Sequence, residues 1–469
     1  METSIKITLK NQVLLGLLAL SVSGCSDGDS SFAYSQRTQS LIKEAQNGSE
    51  GGPGVKQTLD TRFGNPQQLK AWMKLPVEWG GSAASVESFA ASDTEARIKF
   101  VAQEGVTLPA VASSVQFVTG EGAGQSIALT AWDEKTGEAV LAGVPDKTPV
   151  SGDLCVIDGG STLKSGRVLY MRHCSHCHGA AGDGNGPTAQ YMIPKPRDYR
   201  HGVFKFTSTN DQSKVSRNDL LRVLKYGIPG TYMPSFLLMK EDELHAIVEY
   251  VRFLSMRGEY ERRLVNELAS DYSETAVSDR LASEKASDIV EELQSFLKDE
   301  FPATAETLGD DLAEIWTSAD TEDAKILPTV ARVEDSAESR QRGRELYLSK
   351  TLNCADCHGI DGAGNGPQTV AFEKNPVTNE LYPEAGLHDV WDNPNQPRNL
   401  QRGIFRGGRR PIDLFCRIHA GIKGSRMPSF KNTPHEDIWH IVNYLLSLQF
   451  ESDPGTIAAK SVAPSETGE

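Results

Sequence analysis

The sequence contains one five-residue pattern twice, as Cys174-Ser175-His176-Cys177-His178 and as Cys354-Ala355-Asp356-Cys357-His358. C-x-x-C-H is a signature of covalent haem attachment, because two thiols on one helical turn can each add to a vinyl group of the porphyrin. The histidine that follows then lies below the iron as an axial ligand. A zinc site and a thioredoxin-type redox pair compete as interpretations of either copy alone. The repeated pattern predicts two covalently bound haem c groups, attached by Cys174, Cys177, Cys354 and Cys357 and ligated by His178 and His358.

A methionine follows each copy in a matching loop. The loops read GIPGTYMPSF at 227–236 and GIKGSRMPSF at 421–430. A thioether is a soft ligand that suits iron cycling between two oxidation states. Methionine otherwise fills cores, but the chain has only eight methionines, and two of them fall at matching sites. We therefore predict Met233 and Met427 as the second axial ligands. Histidines without a counterpart in the other half are the weaker alternatives: His201, His245, His419 and His440.

With these residues in place, both halves resemble class I cytochromes c, and together they resemble a bacterial dihaem cytochrome c. Each half has a short helix before the haem motif, beginning at Gly166 or Gly343, and an amphipathic helix after the methionine. The resemblance implies that the glycine lets the last helix cross closely, since only a residue without a side chain allows such an approach. Each glycine taken singly is equally compatible with a helix N-cap.

The resemblance also assigns residues around each haem. A glycine run ends at Pro187 in the first half and at Pro367 in the second. It lacks the lysine of a phosphate-binding loop, and a tight loop over a porphyrin edge is the better interpretation. The resemblance implies that the carbonyl groups of Pro187 and Pro367 accept a hydrogen bond from His178 and His358, which fixes the imidazole tautomer. Arginines that follow, Arg197 and Arg398, are candidates to bind haem propionates, with a plain surface role as the alternative.

The first residues have the features of a targeting signal. Lys6 and Lys10 precede an apolar run at 13–22, which is too short to be a permanent membrane helix. The run ends in Val-Ser-Gly-Cys25, which resembles the lipobox of bacterial lipoproteins; a plain signal peptide with an incidental Cys25 is the alternative. We predict a signal peptide at 1–24, lipidation of Cys25 and a flexible tether at 25–55, because that polar stretch cannot bury a core.

From these patterns we expect a mainly α fold with two class I cytochrome c domains, at 151–257 and 339–450. A charged helical linker at 258–338 joins them. We expect it to pack across both, because Trp316 and Ile315 favour burial; a coiled spacer is the alternative. The region 56–150 has no assigned role; it is either a small β-containing unit, with strands at 114–118 and 126–130, or a long wrap around the first domain. We expect a disordered tail at 451–469. An insertion that contains Trp391 covers the second haem edge or forms a docking surface. The sequence leaves open whether Cys155 and Cys416 form a disulfide.

The net charge of −15 argues against nucleic acid and favours redox partner proteins with basic docking surfaces. A haem with two protein axial ligands has no open coordination site, so we expect an electron carrier with no small-molecule substrate rather than an enzyme. The resemblance implies single-electron transfer between extracytoplasmic respiratory proteins, from a quinol-oxidising complex towards a terminal oxidase, at the periplasmic side of a membrane that holds the lipid anchor. The alternatives are a fixed subunit of a membrane oxidoreductase complex and a dihaem peroxidase. The Met-Pro-Ser-Phe sequence kept in both halves speaks against the peroxidase.

Overall fold

A computed structural model of the chain describes residues 32–34, 54–92, 95–376 and 378–451. The predicted signal peptide, the lipidation site Cys25 and residues 452–469 of the predicted tail lie outside the described residues, and the predicted tether is described only at 32–34 and 54–55. In this part of the chain, no helix combines the length and the apolar character that crossing a membrane requires.

Six strands close an antiparallel barrel in the order β1-β2-β5-β4-β3-β6. Its interior is filled by side chains that alternate along each strand, as Val115 and Phe117 do on β3. The strands are β1 (Ser82–Ala91), β2 (Ala96–Ala102), β3 (Ser114–Phe117), β4 (Ser126–Asp133), β5 (Glu138–Leu141) and β6 (Leu154–Ile157).

The barrel makes the expectation of a mainly α fold wrong. The described residues are 41% helical and 11% strand, and the barrel lies in the first half of the chain. β3 and β4 lie where the sequence predicted strands, at 114–118 and 126–130. Closure depends on β6, which pairs with both β1 and β3 and lies beyond residue 150. Four-residue strands give a weak periodic signal, so the sequence pattern did not reveal the barrel as a unit.

Most of the helices form two similar units, each with its own hydrophobic core, and the barrel has a third core. In chain order they are α1 (Gly54–Phe63), α2 (Ser161–His173), α3 (Ser175–His178), α4 (Arg217–Tyr226), α5 (Glu241–Tyr272), α6 (Glu274–Arg280), α7 (Ala286–Asp299), α8 (Phe301–Ser318), α9 (Ala337–Leu348), α10 (Ala355–His358), α11 (Pro411–Ala420) and α12 (His435–Glu451). The first unit uses α2 to α5 and the second repeats that order with α9 to α12.

Both units contain the close helix crossing that the resemblance implied. Gly166 lies inside α2, where an added Cβ would collide with the carbonyl oxygen of Ala246 on α5. Gly343 lies inside α9, where an added Cβ would collide with the carbonyl oxygen of His440 on α12. Neither glycine is a helix N-cap. The absent side chain is therefore what brings the first and last helices of each unit together.

The segment between the units packs against both of them, as predicted. Trp316 on α8 is fully buried, and its Nε1 donates to Glu259 on α5 at 3.0 Å. Farther along, Ile326 packs into the core of the second unit, and its backbone N–H donates to Ser208 of the first unit at 2.9 Å. The segment therefore fixes the two units relative to each other and is not a free spacer.

Gly166→Ala tests the crossing. At an open helical position this change stabilises by up to about 1 kcal/mol, but here the new methyl group meets a backbone carbonyl that cannot move. We expect the free energy of unfolding to fall by about 1–3 kcal/mol. Denaturant titration followed by circular dichroism measures it. Ser165→Ala, an exposed neighbour on α2, is the control and should change stability by no more than about 0.5 kcal/mol. A more stable Gly166→Ala protein would contradict the crossing.

Candidate haem sites

A cavity of about 810 Å³ in the first unit brings the predicted site residues together. Its lining includes Cys174, Cys177 and His178 from the haem motif on one side and Met233 from its loop on another. The volume is that of a typical ligand or cofactor cavity. The four residues that the sequence predicted for the first haem therefore face one space.

Each predicted proximal histidine contacts a backbone carbonyl. Nδ1 of His178 lies 3.1 Å from the carbonyl oxygen of Arg197, and Nδ1 of His358 lies 3.4 Å from that of Arg398. A carbonyl oxygen only accepts, so the proton lies on Nδ1 and the lone pair of Nε2 is free for a metal. Burial lowers the pKa of His178 to about 4 and also lowers that of His358. Both imidazoles are therefore neutral at neutral pH, as a metal ligand must be.

These contacts correct the expectation for Pro187 and Pro367. In the structure the carbonyl of Pro187 accepts from Gln190 at 3.3 Å, and that of Pro367 accepts from the backbone of Val370 at 3.4 Å. The reason lies in Gly186, which packs so closely on the backbone of the haem motif that an added Cβ would collide with the carbonyl of His176. The loop that contains Arg197 or Arg398 supplies the acceptor instead.

A tyrosine in each unit holds the start of the glycine loop. The hydroxyl of Tyr170 on α2 donates to the carbonyl of Gly179 at 2.8 Å, and the hydroxyl of Tyr347 on α9 donates to Gly359 at 2.7 Å. Both tyrosine rings are fully buried against the last helix of their unit. The helix crossing thus fixes the loop directly after each haem motif, a role that the sequence analysis did not assign to these tyrosines although they recur at matching positions.

The two methionine loops share the same hydrogen bonds. In the first loop the carbonyl of Met233 accepts from the backbone of Ile228 at 3.1 Å, and Thr231 caps the turn. In the second loop the carbonyl of Met427 accepts from Ile422 at 3.2 Å, and Ser425 takes the place of the threonine. The same hydrogen-bonded turn therefore holds the backbone of Met233 and of Met427 in each unit.

The four motif cysteines form no disulfide. Burial raises the pKa of Cys174 to about 12 and that of Cys354 to about 11. A thioredoxin-type pair requires a lowered thiol pKa, so this electrostatic environment speaks against that interpretation. Cys155 lies inside the barrel and Cys416 is buried on α11; both are unpaired, so the disulfide that the sequence left open is not formed.

The alternative histidine ligands have other neighbours. His245 lies 2.7 Å from Glu78, and His440 lies 2.9 Å from the hydroxyl of Ser339. His419 stacks on Phe415 within α11. His201 lines the first cavity, beside Trp391. Of the four, only His201 contributes to the described cavity, and Met233 lines that cavity as well.

The two units contact each other through equivalent residues. Gly230 in the first methionine loop lies against Ile404, and Gly424 in the second lies against Val203, which occupies the position of Ile404 in the other unit. Ion pairs join the units around these contacts: Lys205–Asp389 at 3.0 Å, Arg222–Asp413 at 3.0 Å and Lys431–Asp211 at 2.8 Å. The interface therefore brings the methionine loop of each unit against the segment after Pro-Arg in the other.

Buried hydrogen-bond donors at this interface show whether the residues present suit the carboxylates of a haem. The Nε atoms of Arg398 and Arg406 and the Nε1 atom of Trp391 are buried without a hydrogen-bond partner among the described residues. Arg197, Lys205 and Arg406 line the first cavity, and burial lowers the pKa of each. Haem carries two carboxylates that such donors bind, so the residues present fit the group. Lys205 and Arg406 occupy equivalent positions, eight residues after Arg197 and Arg398, a correspondence that a fuller alignment of the halves would have revealed.

The cytochrome c family model matches two segments of the chain, residues 163–255 and 341–449. Each segment contains one C-x-x-C-H motif and one methionine loop, which is consistent with two cytochrome c domains. Such domains imply covalently bound haem c and indicate haem-based electron transfer, and two matches fit a count of two haems.

Among solved structures, a chain of the Kuenenia stuttgartiensis reducing HAO-like protein complex is 22% identical to this one. The match covers 61% of this chain and 96% of that chain, with a TM-score of 0.42. We draw no conclusion about function from a likeness of this size. A comparison with curated proteins found no match.

A buried lysine at the interface between the two units predicts that the stability of the protein depends on pH. Nζ of Lys423 donates to the hydroxyl of Thr209 at 3.0 Å, and burial lowers the pKa of Lys423 from 10.5 to about 8. Below pH 8 Lys423 is protonated in both the folded and the unfolded state, so folding carries the full cost of burying its ammonium charge. Between pH 8 and 10.5 the unfolded state binds more protons, so stability rises with pH.

Lys423→Met removes that titration. We expect the unfolding free energy of the wild type, relative to this variant, to rise by at most about 3 kcal/mol between pH 7.5 and 10.5. Paired denaturant titrations at several pH values measure the difference. Lys431→Met is the control, because Lys431 is half exposed and water solvates its ammonium group. A difference that does not change with pH would rule out a buried Lys423 charge.

Proposed function

We propose that the protein is a dihaem c-type cytochrome that carries single electrons between extracytoplasmic respiratory proteins, from a quinol-oxidising complex towards a terminal oxidase. The observation that carries this proposal is the matched pair of sites, each with a histidine oriented by a backbone carbonyl and a methionine held in a rigid loop. The two segments that match the cytochrome c family model support it.

Each site has a defined set of roles in this proposal. Cys174 and Cys177 would attach the first haem, and Cys354 and Cys357 the second. His178 and Met233 would hold the first iron, and His358 and Met427 would hold the second. Bound haem supplies a one-electron redox centre. The chain's own residues keep each imidazole neutral, present the thioether and exclude water, so no position is left for a substrate and no bond chemistry follows.

The shared interface supports transfer within one molecule. The methionine loop of each unit lies against the other unit, at Gly230–Ile404 and Gly424–Val203. Ion pairs and the segment around Ile326 hold the units in this arrangement. Two redox centres on facing surfaces of one rigid body can exchange an electron without diffusing apart. We assign the first cytochrome c domain to the unit of α2 to α5 and the second to the unit of α9 to α12, since β6 (Leu154–Ile157) belongs to the barrel and α5 extends to Tyr272.

The charge and the first residues of the chain support the proposed partners and location. A net charge of −15 favours docking to proteins with basic surfaces. Lipidation of Cys25, after a signal peptide at 1–24, would tether the protein at the periplasmic side of a membrane. A tether raises the effective concentration of the carrier near membrane-bound redox complexes.

Exchange of the methionines tests the sites. The purified protein should contain two covalent haems and show the weak near-infrared charge-transfer band of methionine-ligated ferric haem. Met233→His and Met427→His should each remove part of this band and lower one of the two reduction potentials, because imidazole favours ferric iron more than a thioether does. Absorption spectroscopy and a spectroelectrochemical titration measure both effects.

The matched control is Met239→His, since Met239 lies just after the first loop and packs on the core. It should leave the band and both potentials unchanged. An unchanged spectrum in Met233→His or Met427→His would show that the sixth ligand of that haem is misassigned. Fewer than two covalent haems in the wild type would end the proposal.

Exchange of the cysteine tests the anchor. Cys25→Ser removes the thiol that would carry the lipid, so we expect the protein to move from the membrane fraction to the soluble extracytoplasmic fraction. Fractionation with immunodetection measures this, and Ser26→Ala, at the adjacent position, is the control. A Cys25→Ser protein that stays in the membrane fraction would contradict lipid anchoring and leave the electron-transfer proposal intact.

A further inference from the structure

The second unit carries an insertion between Pro367 and Pro397 that the first unit lacks. Residues 389–395 of this insertion line the cavity of the first unit, beside His178 and Met233. By its sequence alone, the insertion is compatible with a cover over the second haem edge and with a docking surface. Its place in the wall of the first cavity points to a third role, in the site of the other domain.

Asp389 fixes the shape and position of this loop. Its Oδ1 atom accepts from the backbone N–H groups of Trp391 and Asn393, at 3.1 and 3.2 Å. Its Oδ2 atom accepts from Nζ of Lys205 in the first unit at 3.0 Å, and both side chains are largely buried. One carboxylate thus holds the loop in a turn and attaches it to the neighbouring domain.

Trp391 lies between the two candidate sites. Its ring lies 3.6 Å from the guanidinium carbon of Arg197, which is a cation–π distance. The six-membered edge of the ring packs on Gly424 in the second methionine loop, where a Cβ added to the glycine would collide with the ring. Its Nε1 atom is buried and has no hydrogen-bond partner among the described residues. A buried indole N–H requires an acceptor, and none of the described side chains supplies one.

Charge at this end of the cavity indicates which acceptor fits. The basic side chains that line it are Arg197 and Lys205 from the first unit and Arg406 from the second. Two nearby acids are engaged by bases: Asp389 pairs with Lys205, and Asp198 accepts from Arg200 at 2.8 Å. A third, Asp392, also lines the cavity and accepts from the hydroxyl of Tyr382 at 2.6 Å. Arg197 and Arg406 therefore exceed the one acid here that no described base pairs with. A ligand with ionised carboxylates would balance the charge and accept from the unpartnered donors.

We propose that the insertion of the second domain completes the haem site of the first. The Trp391 indole N–H and the Arg406 guanidinium, together with Arg197 and Lys205, bind the two carboxylates of the first haem. This inference rests on the proposed function, because it requires a haem in the first cavity. Trp391 and Arg406 are binding residues supplied by one domain to the cofactor of the other, and through them the second domain sets the electrostatic environment of the first haem.

Trp391→Phe tests the indole N–H. Phenylalanine keeps an aromatic ring over Arg197 but removes the donor. Without that donor the negative charge of the carboxylate is less compensated, which favours ferric iron, so the reduction potential of the first haem should fall while that of the second stays. The first haem is identified in the titration as the wave that Met233→His lowers. The propionate bending band in the resonance Raman spectrum should shift as well, because it responds to hydrogen bonds on the carboxylate.

Trp132→Phe is the matched control, since its Nε1 donates to Pro109 at 2.8 Å in the barrel, away from the cavity. It should change neither potential. Arg406→Gln should also lower the potential of the first haem, because a positive charge beside the carboxylates is lost, and Arg406→Lys should restore most of it. A shift confined to the second haem, or no shift in either variant, would overturn the inference.

The haem content of the same samples separates this inference from the proposed function. Two covalent haems without the predicted shift would reject the role of the insertion and leave the dihaem assignment standing. Fewer than two haems in the wild type would reject the proposed function itself, and the inference with it.

Discussion

The contact between each candidate proximal histidine and a backbone carbonyl is the constraint on which both sites depend. Nδ1 of His178 and Nδ1 of His358 face the carbonyl groups of Arg197 and Arg398. This contact places the proton on Nδ1, leaves the lone pair of Nε2 free for a metal and joins the haem motif to a distant loop. The same arginine residues send their side chains to the domain interface. One residue in each unit therefore couples ligand orientation to the contact between the domains.

Around this constraint the two units are built alike and differ at one place. The glycine crossing, the tyrosine that holds the glycine loop and the hydrogen-bonded methionine turn all recur. The insertion that carries Trp391 occurs only in the second unit, yet it lines the cavity of the first. The two units thus provide similar candidate haem sites, and the insertion makes the surroundings of the two sites unequal. Unequal surroundings are a physical means of giving two like centres different reduction potentials.

Features that depend on neighbouring residues were predicted from the sequence, and features that depend on residues far apart in the chain were not. The strands at 114–118 and 126–130 and the buried Trp316 followed from local periodicity and hydrophobicity, and the structure confirms them. The mainly α expectation was wrong because a barrel closes through pairing between strands far apart in sequence, such as β1 with β6. The role given to Pro187 differs from the structure because the carbonyl nearest to the imidazole is decided by how two loops pack.

The sequence by itself determined the number of candidate sites, their attachment cysteines and their candidate ligands, since spacing along one helical turn and a repeated loop are local properties. Only the tertiary structure decided that His178 and Met233 face one cavity and that the two units meet at their methionine loops. It also decided that Trp391, from the second unit, lies over Arg197 of the first. Such contacts depend on burial and charge balance between segments that lie far apart in the sequence, which no local pattern encodes.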